Sequence, residues 1–171
     1  VIASAVVEVG DPGDEEREQS MDVERVDREP RTLYGLREVV SLGEMTEFFG
    51  RAFASTAAEL SKQGSFPAGA PIALYHGAPT ATIDVTAGFP AAHPVTPTST
   101  VVVATLPGGS AVETIHVGPY DTLADTYDRL AAWMTEHALT PADDMWEEYL
   151  VGPDAESDPA KWRTRIVFPL R

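Results

Sequence analysis

The apolar patterning of this chain runs through the same order of elements twice, and a duplicated unit constrains the fold more than any other feature of the sequence. Residues 21–27 (MDVERVD) alternate apolar and charged side chains, and residues 32–40 (TLYGLREVV) follow Pro30. This predicts two strands, or one bent at Glu29-Pro30-Arg31. Between Glu44 and Gln63, Met45, Phe48, Phe49, Ala52, Phe53, Thr56 and Leu60 recur at spacings of three and four, which predicts a helix with one apolar stripe. Gly64 suits the left-handed position that closes such a helix. Residues 72–76 (IALYH) and 80–86 (TATIDVT) read as strands around Gly77-Ala78-Pro79. The second half follows suit, because residues 100–105 (TVVVAT) and 111–117 (AVETIHV) flank the turn Pro107-Gly108-Gly109. Asp121 is placed to cap a helix running to about Ala138, with Leu123, Tyr127, Leu130 and Met134 on one face. Residues 145–151 (MWEEYLV) and 162–170 (WRTRIVFPL) supply the last two strands.

A unit of about 70 residues buries too little surface to be comfortable alone, so two sheets joined edge to edge, with helices on one face, are expected to share a core. The expected organisation is an acidic tail over residues 1–20 and a single domain over 21–171. Within it, repeat one covers about 21–88, a proline-rich linker 89–99 (FPAAHPVTPTS) and repeat two about 100–171. The best internal match sets residues 73–76 (ALYH) against 147–150 (EEYL), making Tyr75 and Tyr149 equivalents about a pseudo-two-fold axis.

Composition narrows the function. The 171 residues carry 12 Lys and Arg against 27 Asp and Glu, a net charge of −15 that repels a phosphate backbone, so no direct nucleic-acid binding is expected. Residues 10–20 (GDPGDEEREQS) read as a solvated acidic tail. With no cysteine there is no disulfide, thiolate metal site or cysteine nucleophile. His76, His93, His116 and His137 show no ligand spacing, so no metal and no cofactor is expected. Gly108-Gly109 lies between strands and does not open a helix, which favours a hairpin over a phosphate cradle. No apolar run reaches the roughly 20 residues needed to span a bilayer, and the start lacks a basic leader, so a cytoplasmic address with no membrane partner is expected.

Three segments carry a resemblance: Leu106-Pro107-Gly108-Gly109, His116-Val117-Gly118-Pro119-Tyr120 and Trp146-Glu147-Glu148-Tyr149-Leu150. In these, and over about residues 21–170, the chain resembles the GyrI-like small-molecule-binding family, which includes effector-binding domains of AraC- and MerR-type multidrug regulators and a DNA gyrase inhibitor. The resemblance implies an α+β fold of two strand-helix-strand-strand repeats, an antiparallel sheet with helices on one face and a ligand cleft on the other. It also implies a glutamate among aromatic rings that recognises lipophilic cations. Carried over, that glutamate is Glu147, with Glu148 as the rival.

Period-two alternation places Met145, Glu147, Tyr149 and Val151 on one strand face and Trp146, Glu148 and Leu150 on the other. With the resemblance, the expected ligand-binding set is Glu147, Tyr149, Tyr75, Met145, Tyr34 and Trp133, with Trp162 a further candidate for the pocket wall. An aromatic at a periodic position also serves as ordinary core. His116 is expected to fix the strand-to-helix turn. With the tail too short for a helix-turn-helix, the expectation is a stand-alone protein that binds lipophilic, often cationic, small molecules. Two alternatives stay open by resemblance: a hydrolase that opens the cyclopropane rings of DNA-alkylating natural products, with Glu147 as the catalytic carboxylate, and a gyrase-inhibitor-like factor with a protein partner.

Overall fold

The computed structural model describes residues 21–171, so the acidic tail expected over 1–20 lies outside the described residues. Repeat one contains β1 (Val23–Arg28), β2 (Arg31–Ser41), α1 (Met45–Lys62), β3 (Ile72–Tyr75) and β4 (Thr82–Phe89). Repeat two contains β5 (Val102–Leu106), β6 (Gly109–Val117), α2 (Leu123–Glu136), β7 (Met145–Val151) and β8 (Arg163–Pro169). A single 3-10 turn precedes each helix, Leu42–Glu44 before α1 and Tyr120–Thr122 before α2. Asp121 consequently sits inside such a turn and does not cap α2. The position before α2 is Thr122, whose hydroxyl donates to the Pro119 carbonyl at 2.8 Å. Gly64 ends α1 at φ 74°, as expected, while α2 ends at the non-glycine Ala138 with φ 53°.

All eight strands form one antiparallel sheet in the order β1-β6-β8-β7-β3-β4-β2-β5. Exchanging each strand of repeat one with its counterpart in repeat two, β1 with β5 through β4 with β8, reproduces this order reversed. That is the pseudo-two-fold axis anticipated from the sequence. The repeats join through β3 and β7, where Ala73 faces Glu147 in the ladder and Tyr75 faces Met145. Each repeat also lends its first strand to the other, since β1 pairs with β6 and β5 pairs with β2.

Ladder register decides what each face buries. One face carries Val40, Ile83, Val85, Ala87, Ala73 and Tyr75 beneath the α1 residues Phe48 and Ala52, and Val112 and Ile166 beneath the α2 residues Leu130 and Met134. Both helices cover this one face, each through the stripe its periodicity predicts. The opposite face buries Leu33, Ile72, Leu74, Leu106, Ala111, Trp146 and Val167 together. Arg31 of β2 donates to Glu148 of β7, three positions away in the sheet, at 2.8 Å, and it is the curl of the sheet that brings the two within reach.

The doubled α+β architecture is the expected one. Glu147 lies on the helix-bearing face, and the opposite face buries the second core. No described helix is long and apolar enough to cross a membrane.

Candidate functional site

The strand β7 has the expected alternation, and the alternation separates its two adjacent acids completely. Met145, Glu147 and Tyr149 share the helix-bearing face with Tyr75 of the neighbouring β3. Glu147 is 5% exposed. Its Oε2 accepts from the Tyr149 hydroxyl at 2.6 Å and the Tyr75 hydroxyl at 3.1 Å, and its Oε1 accepts from the Tyr127 hydroxyl on α2. A carboxylate offers roughly four acceptor positions, so three phenols nearly saturate it. Among the described residues no cationic side chain pairs with it. The Tyr75 and Tyr149 hydroxyls lie 3.5 Å apart, one on each side of the pseudo-two-fold axis, so repeat one supplies one phenol and repeat two supplies Tyr127, Tyr149 and the acid.

Glu148 points into the curl and is built differently. It accepts from Arg31 Nη2 at 2.8 Å, Arg165 Nη1 at 2.9 Å and Trp146 Nε1 at 3.1 Å, so two guanidiniums neutralise it inside the second core. One buried acid is thus ion-paired and the other is surrounded by neutral donors.

Burial, and then the nearby Glu147 charge, push the phenols of Tyr75, Tyr127 and Tyr149 far above the ordinary tyrosine range. They remain protonated donors at every physiological pH. The same two causes raise Tyr120, which is 37% exposed. Around the Tyr149 ring stand Phe49 and Phe53 of α1, at centroid distances of 5.9 and 6.1 Å, and Tyr120 at 5.8 Å. Trp162 packs on Tyr120 at 4.9 Å, and Phe89 touches Phe53 at 5.6 Å.

Of the residues anticipated for this site, the structure brings together Glu147, Tyr149, Tyr75 and Met145, the last within 3.9 Å of the Tyr127 hydroxyl at its sulfur. Tyr34 is placed in another cluster, while Trp133 belongs to the α2 cluster that also takes in Tyr127 and Met145. Tyr34 packs with Leu60 and Val101, and Trp133 stacks on His137 at 3.9 Å. His116 is buried at the end of β6. Its Nε2–H donates to the Pro119 carbonyl at 3.1 Å and its Nδ1 accepts from the Thr126 hydroxyl at 2.8 Å, which ties the strand to the start of α2.

Tyr127, Phe49, Phe53 and Tyr120 were read from the sequence only as helix stripe or turn motif. A signal for Tyr127 was present, since a lone phenol in a stripe of Leu and Met needs a buried acceptor. A separate cleft of about 980 Å³ lies between β6 and α2, lined by Glu24, Asp125, Arg129, Arg163 and His116 among others, and includes neither Glu147 nor its phenols. Its mixed charged lining does not suit an apolar guest.

The sequence matches the description "GyrI-like small molecule binding domain" over residues 21–171. The chain belongs to this family. Comparison with curated proteins finds no match. Among solved structures, the EcmrR C-terminal domain is similar with a TM-score of 0.74 at 19% identity, covering 90% of this chain and 99% of that one. SAV2435 bound to tetraphenylphosphonium gives a TM-score of 0.62 at 14% identity, covering 88% and 94% of the two chains. A protein described as a hydrolase from Listeria innocua gives 0.58 at 16% identity, covering 93% and 96%. These likenesses show that the fold of this chain is shared with the EcmrR C-terminal domain and with a protein bound to tetraphenylphosphonium.

Proposed function

We propose that this GyrI-like domain binds lipophilic cations at Glu147. The observation that carries the reading is a buried carboxylate with no counter-ion among the described residues, held by Tyr75, Tyr127 and Tyr149 and walled by further aromatic rings. A buried anion is costly unless hydrogen-bonded or paired. The phenols meet the first need and leave the second for a guest. A delocalised cation gains the charge of Glu147 together with cation–π attraction of roughly 0.5–2 kcal/mol for each well-placed ring. Its apolar periphery takes the place of water against Phe49, Phe53 and Tyr120. Because all three rings pack on Tyr149, the guest enters by displacing the half-exposed Tyr120 from it. That a protein of similar fold is bound to tetraphenylphosphonium supports the same class of guest.

The test is a fluorescence titration with a lipophilic cationic dye, competed with tetraphenylphosphonium. Glu147→Gln is expected to weaken binding at least tenfold, about 1.4 kcal/mol, with the fold intact. Glu148→Gln is expected to lower the melting temperature instead, because Arg31 loses its carboxylate and Arg165 keeps only the more distant Glu113. Unchanged affinity in Glu147→Gln would refute the assignment.

The hydrolytic alternative draws support from the likeness to the Listeria innocua protein. Against it, all three phenol hydroxyls already donate to Glu147, which leaves little acceptor capacity on the carboxylate for a water to be activated. Multiple turnovers of a cyclopropane-bearing alkylator, abolished in Glu147→Gln, would favour turnover over binding.

A further inference from the structure

The two outermost strands of the sheet are counterparts about the pseudo-two-fold axis, yet they are built in opposite ways. The β1 edge, VERVDR, carries Glu24, Arg25, Asp27 and Arg28, the charged side chains that keep an open edge from pairing with another chain. The β5 edge, VVATL, has no charged residue, no proline and no bulge. Its Val102 and Val103 are 37% and 44% exposed. They alternate across the two faces of the sheet, so neither face of this edge is shielded. Among the described residues, the backbone of β5 makes no hydrogen bond beyond its ladder with β2.

The surrounding sequence carries the same signature. Between Lys62 and Glu113 the only acidic or basic side chain, histidines aside, is Asp84, and Asp84 is already paired with Arg37 at 2.7 Å. In a chain of net charge −15, β5 lies within the longest stretch where charge is nearly absent.

We propose that β5 is a homodimer interface, at which two copies of this chain pair antiparallel across a two-fold axis and join their eight-stranded sheets. The charge distribution selects a second copy as partner. Two molecules of −15 repel wherever their carboxylates approach within a Debye length, roughly 8 Å at physiological salt, and the β5 region is where they approach without that cost. The segment is also self-complementary. With Ala104 on the axis, Val102 lies opposite Leu106 and Val103 opposite Thr105, all pairs suited to a ladder. A charged peptide partner finds nothing on this edge to read. Because the opposite edge, β1, is charged, strand addition stops at two copies and does not continue into a filament.

Sedimentation equilibrium of the full chain over a range of concentrations, at low and high NaCl, tests this. The expected result is a reversible monomer–dimer equilibrium that strengthens as salt screens the repulsion. Val102→Lys and Val103→Lys are each expected to weaken it at least about tenfold, with circular dichroism unchanged. Two variants are used so that a folding defect in one leaves the other informative. A monomer under every condition, a dimer that dissociates in salt, or a dimer untouched by both substitutions would overturn the proposal.

Discussion

At the scale of single residues, the site depends on the difference between two neighbouring glutamates that the sequence presents as near-equals. One main-chain step turns Glu148 toward Arg31 and Arg165, and Glu147 toward three tyrosines. The tyrosines give this difference a pH signature. Their folded-state values are raised above the unfolded value of about 10, so the native state holds protons that the unfolded chain releases in alkali. The stabilisation they provide is complete below about pH 10 and is lost as pH rises beyond it. Phenolate absorbance is expected to show Tyr75, Tyr127 and Tyr149 ionising only together with unfolding. Tyr127→Phe is expected to lessen the alkaline loss of stability. Independent ionisation of these phenols in the folded protein, near the ordinary tyrosine value, would contradict the buried cluster.

At the scale of elements, the β2–β4 pair controls how closely the α1 side of the sheet is drawn together. Gly35 and Gly88 face each other in this ladder, and a Cβ on Gly88 would lie 1.9 Å from the Tyr34 carbonyl oxygen, while one on Gly35 would lie 2.5 Å from that of Ala87. The obstacles are backbone atoms, which cannot rotate aside. Gly88→Ala is therefore expected to destabilise by about 3 kcal/mol, read as a lowered urea midpoint, because the strands must separate. The neighbouring Phe89 touches Phe53, one of the rings around Tyr149, so the same substitution is also expected to loosen dye binding.

At the scale of the whole molecule, the exchange of β1 and β5 makes the two repeats interdependent. A chain cut inside the linker, at Pro94–Val95, is expected to give two fragments that are each unfolded by circular dichroism. Each lacks the edge strand supplied by the other. Mixing them is expected to restore the spectrum, and an independently folded fragment would show that the exchange is dispensable.

The duplicated order of elements, the helical stripes, the strand β7 and its face assignment were all legible in the sequence. They depend on local periodicity, and the period of a strand or helix is a property of the backbone alone. The equivalence of Tyr75 and Tyr149 was legible for the same reason, through the internal repeat. Contacts between segments distant along the chain were not. Nothing in the spacing of residues 45–62 tells which turn of α1 stands over Tyr149, or that Tyr127 reaches Glu147 from the other helix. Likewise, the contents of the face opposite the helices depended on tertiary packing, which gathers Leu33, Leu106, Ala111 and Trp146 from distant strands into one core. Periodicity sets which residues share a face. Only the packing of the closed sheet decides which face is sealed and what surrounds the carboxylate left on the other, because that outcome depends on the summed burial of strands that never adjoin in sequence.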